Sequence, residues 1–334
     1  MTVAEPIDDV LACVRRRVAE SVRRSARGDF RELSCRAMST GVRILFHVRQ
    51  PALADDFQHL AVEWIASFEA TYSRFFGGSL VGRINSEAGG DWIELDDEAE
   101  KLFSACDRMH AISKGAFDPA ALPLLRLWDW KADPPRVPRD AQVSAALELC
   151  GWQKVLRRPG AIRLPFAGMG IDLGGIGKEY AVDRLVELAR ARGIHDVMVD
   201  IGHDLRVSGT SPGTDAWYIG LEEPGEPGRC WTGIRVTDHA VATSGDYFRS
   251  FERNGRRYGH ILDPRTGEPV NNGCEAVTVI APNCTLAGVL STAAYVLGPN
   301  EGIALIHEHG GVEACVTTTS ARHQTRRFSA HVPH

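Results

Sequence analysis

The sequence has no uninterrupted apolar run of the roughly 20 residues that a membrane-spanning helix needs, and no apolar stretch near its start that would serve as a secretory signal. It therefore reads as neither exported nor membrane-spanning. Its eight cysteines, Cys13, Cys35, Cys106, Cys150, Cys230, Cys274, Cys284 and Cys315, include no Cys-x-x-Cys pair and no regular spacing. That absence argues against a zinc site or a disulfide framework and for reduced thiols in the cytoplasm. Excess positive charge is lacking too: the formal net charge is −5, and no basic stretch is interleaved with aromatics, so nucleic acid is not an expected partner. Repeats and low-complexity tracts are absent. What is present is a soluble globular chain of 334 residues, 44% hydrophobic, long enough for one large domain or two lobes.

Residues 1–30 are expected to hold an amphipathic helix, Ile7 to Ala26, with Leu11, Val14, Val18 and Val22 on one face and arginines outside it. Such a helix docks on the body more readily than on a membrane, since Asp8, Asp9 and Glu20 dilute its positive charge. Residues 31–334 form the main domain. There, Val42, Ile44, Phe46 and Val48 alternate as one face of a strand, and apolar positions from Asp55 to Phe75 recur at helical spacing. A second helix, Asp96 to Ser113, stops at Gly115-Ala116-Phe117-Asp118-Pro119, where glycine ends it and proline bars its continuation. A Pro-rich charged segment from Lys131 to Arg139, flanked by Trp128, Trp130 and Trp152, is a surface connection that marks a sub-lobe boundary near 131–140.

Next, a short strand is expected to enter Asp172-Leu173-Gly174-Gly175-Ile176-Gly177-Lys178, and a helix to leave it. Main-chain N–H groups at such a helix start suit a phosphate, although a tight structural turn fits the same glycines. The run is not a Walker loop, because Asp172 stands where the first glycine would be and Glu179 where Ser or Thr would hold magnesium. Strand Asp196–Ile201 then breaks at Gly202-His203-Asp204, a structural turn. Later, Ala276–Pro282 is a buried strand, Cys284 to Leu297 a helix, and the polar residues after Thr317 a late strand and a mobile tail.

The densest local pattern is Tyr258-Gly259-His260-Ile261-Leu262-Asp263-Pro264-Arg265-Thr266-Gly267. Asn254-Gly255 between strand-like runs signals a hairpin, and Asp263, Pro264 and Gly267 specify a turn directly after it. His260 is thereby a fixed group. A histidine titrates near neutral pH and could act as a general base, or it could satisfy the turn alone.

In order along the chain, Met38-Ser39-Thr40, Tyr72-Ser73-Arg74-Phe75 with Ser79 and Asn85, Gly115–Pro119, Asp172–Lys178 with Tyr180-Ala181-x-Asp183, Thr243-Ser244-Gly245-x-Tyr247, His260–Gly267 and Val277–Pro282 together resemble the ApbE family, the FAD:protein FMN transferases. The resemblance implies an α+β fold of two lobes with FAD between them. It also implies transfer of FMN from FAD to a Thr or Ser hydroxyl of an acceptor flavoprotein, with release of AMP. His260 matches the base; Met38, Phe75, Ala116, Phe117, Asp118, Lys178 and Ile261 match flavin-contact positions; Gly175, position 288 and Thr292 match the magnesium site. This chain departs from the pattern where Gly288 replaces a ligand Asp and Glu179 replaces a Gly. Without that carboxylate magnesium would bind weakly, unless an acidic neighbour such as Asp246 or Asp263 took its place. A flavin-binding homologue without turnover, and hydrolysis of FAD to FMN and AMP, are the alternative activities.

Overall fold

Short runs of alternating β-branched and aromatic residues build the centre of the molecule. In the strand Thr40–His47, Val42, Ile44 and Phe46 belong to one core and Leu45 to another, so both faces of the strand are covered. The structure, a computed structural model, describes residues 6–333 apart from 130, 131, 133, 134, 247–249 and 254. Within the described residues, nine strands form one sheet: β1 (Arg23–Arg27), β2 (Phe30–Ala37), β3 (Thr40–His47), β4 (Val197–Ile201), β5 (Asp204–Ser208), β6 (Ala240–Gly245), β7 (Cys274–Ala281), β8 (Glu313–Thr318) and β9 (Arg322–Gln324). Spatial order follows chain order, and every pairing is antiparallel. Strand direction therefore alternates across the sheet. The turns at 38–39 and 202–203 and the exit of β6 at Gly245 consequently fall at one end of it, and Gly202 N–H reaches the Gly41 carbonyl at 3.1 Å.

Four helices pack on one face, α1 (Ile7–Ser21), α2 (Pro51–Tyr72), α4 (Gly177–Ala191) and α5 (Cys284–Leu297), and α3 (Asp97–Ile112) joins the same core, which includes Ile44, Phe57, Leu185, Val199 and Val289. The opposite face is covered by the hairpin of Trp217–Glu223 and Glu226–Val236, whose Trp217 and Ile234 lie over Leu45, Met198, Val207 and Ile280. This is the α+β class expected from the motifs.

Helix α1 docks on α2 through buried Val10, Val14 and Val18. Burial of each valine contributes roughly 1.5–3 kcal/mol, which outweighs the partly exposed pairs Arg15–Glu63 (3.0 Å) and Arg17–Glu69 (2.6 Å). The helix is shorter than its periodicity implies. It stops at Ser21, whose hydroxyl donates to Val18 O (2.7 Å) and accepts from Arg36 N–H (2.9 Å), and Arg23–Arg27 pairs with β2 as an exposed edge strand. At the other terminus the expected mobile tail is instead anchored, because Phe328 is fully buried in the second core.

No ladder pairs the segment that leads into the glycine-rich loop, where a strand was expected. Asn85 takes the place of a neighbouring strand: its Oδ1 accepts from Ile171 N–H (2.7 Å) and its Nδ2 donates to Ile171 O (3.0 Å). Around residues 131–140, helices Leu122–Leu127 and Asp140–Glu148 share a small core with Trp128 and Tyr258. Trp130 and Lys131 of that segment lie outside the described residues.

Candidate active site

Strands Ser250–Arg253 and Arg256–Gly259 form the expected hairpin, with Gly255 at φ +73° in its turn. Asn254 of that turn, and Tyr247 upstream, lie outside the described residues. Glycine is required at 259, since a Cβ there would come within 2.0 Å of Asp246 Oδ2. Asp246 is 3% exposed and is held by Arg257 at 2.9 Å and by the Tyr295 hydroxyl of α5. His260 follows directly. Beyond it, Ile261 packs on the main core, its carbonyl accepting from Val270 N–H at 3.0 Å. The dense turn then closes through Gly267 N–H on Asp263 O at 2.8 Å, with Gly267 at φ +76°. Trp128 Nε1 donates to Gly267 O at 2.7 Å, which ties the turn to the small core. His260 thus sits between two anchored segments.

The glycine-rich loop is braced from within. Asp172 Oδ1 accepts from Gly174 N–H (2.6 Å), its own N–H donates to Pro119 O (2.8 Å), and its carboxylate pairs with Arg74. Gly175 lies against Phe117, where a Cβ would stand 3.2 Å from the ring. These contacts bring the Gly115–Pro119 loop and the glycine-rich loop together. Ala116 and Phe117 are buried; Phe75 is 71% exposed, with the Arg74 guanidinium 4.2 Å from its ring centre. Met38 occupies the 38–39 turn at φ +50°. Asp118 accepts from Ala120 N–H (2.7 Å) and Trp152 N–H (3.1 Å), and burial pushes its carboxyl above the usual range. An open cleft of about 580 Å³ runs between Gly115 and Asp118 on one side and Pro264 and Arg265 on the other, rimmed by Lys114 and Lys154.

Lys178, in the first turn of α4, lies 2.7 Å from Asp204 Oδ2 and 3.4 Å from Glu179 Oε1. Burial works against its charge, but the two carboxylates outweigh it and hold the ammonium above its ordinary pKa. Asp204 therefore belongs to the site as the partner of Lys178. From sequence it reads as part of a turn, and the turn is real, with His203 at φ +74°.

Glu179 is 5% exposed, and burial raises its carboxyl to about 7 against the pull of Lys178. Its side chain lies over Gly288 of α5: a Cβ at 288 would be 2.4 Å from Glu179 Cγ. One turn further along α5, Thr292 Oγ1 is 3.0 Å from Ser244 Oγ of β6, which is 2.8 Å from Ser291 Oγ. Helix α5 is seated by Asp183 of α4, which accepts from Cys284 N–H (2.8 Å), Thr285 N–H (2.9 Å) and the Thr285 hydroxyl (2.7 Å) and pairs with Arg206 (3.0 Å). Asp246 and Asp263 are committed to Arg257 and Arg265, the latter at 2.7 Å. Among the described residues no group of three or more His, Cys, Asp or Glu side chains is placed to hold a metal ion, and no helix is long and apolar enough to cross a membrane.

Comparison with known proteins gives one consistent result. The model of the ApbE family matches residues 38–316. A FAD:protein FMN transferase of Vibrio cholerae is 30% identical over 264 residues, spanning 78% of this chain and 79% of that protein. Another from Treponema pallidum is 33% identical over 252 residues, 71% of this chain and 70% of the relative. Among solved structures, the ApbE protein of Thermotoga maritima superposes with a TM-score of 0.83 at 30% identity, covering 91% of this chain and all (100%) of that one. The Pseudomonas stutzeri flavinyl transferase ApbE gives 0.78 at 28% identity, covering 93% and 97%.

Proposed function

The chain belongs to the ApbE family, and from that premise we propose that it is an FAD:protein FMN transferase. The observation that carries the reading is convergence. The 38–39 turn, the Lys178–Asp204 pair, the Ser244–Thr292 hydroxyls and the hairpin before His260 all gather at one end of the sheet.

In the proposed reaction an acceptor Thr or Ser oxygen attacks the FMN phosphorus of FAD, the phosphorus–oxygen bond to AMP breaks, and AMP leaves with the electron pair. His260, fixed by its flanking turns, takes the proton from the attacking hydroxyl. Lys178 in the first turn of α4 meets the charge of the pyrophosphate, while the N–H groups of Ile176 and Gly177 just before it are held by Leu173 O at 3.1 and 2.6 Å and keep the loop closed. Met38, Phe75, Ala116, Phe117 and Ile261 border the flavin, and Asp118 meets a polar end of FAD, keeping its loop rigid through its two accepted hydrogen bonds.

Magnesium, when bound, supplies positive charge to the pyrophosphate oxygens. The residues that would hold it are the Gly175 carbonyl and Thr292, with no side chain available from Gly288. They fit an oxygen-seeking cation, because a buried carboxylate oxygen, Glu179 Oε2, accepts no hydrogen bond from another residue among those described and its side chain fills the volume over Gly288. The acceptor is a protein carrying a target Thr or Ser. All eight cysteines are unpaired thiols, which supports a cytoplasmic location.

The test is a mass and AMP-release assay on the full chain with FAD, an acceptor domain and magnesium. The acceptor should gain one FMN with matched AMP, and His260→Ala should lower the rate at least about 10²-fold while FAD still binds. FAD binding with no modification across several acceptors would refute the transferase reading, and release of free FMN without acceptor would replace it with hydrolysis.

A further inference from the structure

We infer that Glu179 delivers from α4 the carboxylate that Gly288 of α5 does not supply, making Glu179 a ligand of the divalent cation in this site. The inference rests on the transferase reading for the presence of a metal, and on three observations of its own.

The first is steric. A Cβ at 288 would stand 2.4 Å from Glu179 Cγ, 3.2 Å from Cδ and 3.3 Å from Oε1, so the side chain of Glu179 and any side chain at 288 compete for one volume. Glu179 thus stands where a carboxylate rising from α5 would stand. The second is polar. Glu179 is 5% exposed, its Oε2 accepts no hydrogen bond from another residue among those described, and its carboxyl lies beside that of Asp204. Buried carboxylate oxygens are normally satisfied, and a bare one is suited to a cation. The third is the company it keeps. Thr292 follows Gly288 by one helical turn on the same face of α5, and its hydroxyl is positioned by Ser244 at 3.0 Å.

Charge counting points the same way. The Lys178 ammonium is matched by Asp204 at 2.7 Å, closer than Glu179 Oε1 at 3.4 Å. Two carboxylates thus share one ammonium beside a site that must bind pyrophosphate, and a divalent cation offsets the excess negative charge. Two departures from the family pattern, Glu at 179 and Gly at 288, then become one change: the ligand has moved from one helix to its neighbour.

Mn²⁺ serves as the probe, titrated into the full-length protein in the presence of FAD and read by loss of the free-ion EPR signal. Glu179→Gln, which keeps shape and removes charge, should weaken Mn²⁺ binding at least roughly tenfold with the thermal midpoint in EDTA unchanged. The double variant Glu179→Gly/Gly288→Asp, which returns the carboxylate to α5, should recover wild-type affinity to within a few-fold. Equal Mn²⁺ affinity in wild type and Glu179→Gln, or no Mn²⁺ binding by wild type, would overturn the assignment. Transfer to an acceptor is read separately. Glu179-dependent Mn²⁺ binding without flavin transfer would refute the transferase reading and uphold this one, and transfer with Mn²⁺ affinity indifferent to Glu179 would do the opposite.

Discussion

Asp183 holds α5 against α4, and with it the relation of Gly288 and Thr292 to Lys178 and Glu179. Replacing it by Ala removes the acceptor of two main-chain N–H groups at the start of α5, of the Thr285 hydroxyl, and of Arg206, all in a position only 7% exposed. Losing the cap alone costs about 1 kcal/mol. Leaving Arg206, itself 14% exposed, without its carboxylate raises the total to about 3–5 kcal/mol, the range for breaking a buried pair. At a urea slope near 3 kcal/mol per molar, the midpoint followed by tryptophan fluorescence should fall by about 1 M or more. Asn should rescue little. Oδ1 accepts from Cys284 N–H and Arg206 while Oδ2 accepts from Thr285, so an amide would turn its NH₂ toward donors on one side or the other. A midpoint unchanged within about 0.3 M in Asp183→Ala, or a fully stable Asn variant, would show that packing and not these bonds seats α5.

Two further outcomes are open to measurement. Gly267→Ala should destabilise by about 2–4 kcal/mol, because it places a side chain at φ +76° and 2.6 Å from Val143 Cγ1; calorimetry checks the stability, and slowed flavin transfer with little change in FAD affinity would show the shifted hairpin. Native thiol labelling at pH 8 should modify Cys13 and Cys230, which are exposed, well before the others. Burial raises Cys35, Cys150 and Cys274 to about 11, leaving only about one thiolate in a thousand at that pH.

Where local chemistry decides structure, the sequence was sufficient. The hairpin and turn around His260 follow from Gly255, Asp263 and Gly267, and Asn283 caps α5 by accepting from Leu286 N–H at 2.9 Å. Long-range substitutions of one partner for another were not legible. Asn85 stands in for a strand to a segment 86 positions away, and nothing in either local pattern announces it. Phe328 looks like part of a polar tail until the second core is seen to need it. Arg23–Arg27 continues a helical pattern that the bond from Arg36 to Ser21 interrupts. For Glu179 and Gly288 a signal did exist: one residue too large and one too small, each read as a separate departure. Only their contact turns the two into a complementary pair.

The short strand β1 also sets the character of one open edge of the sheet. All five of its residues are exposed, and three of them, Arg23, Arg24 and Arg27, carry positive charge. At the far edge, β9 is Arg322-His323-Gln324, again exposed. A sheet edge offers unpaired N–H and C=O groups that invite a second sheet to extend the ladder. Pairing of β1 with a second β1 brings arginine against arginine, whereas at β9 the single arginine, Arg322, is paired with Glu223 at 2.5 Å. The molecule carries net negative charge overall, yet the three arginines of β1 disfavour the pairing of that edge with a second copy of itself.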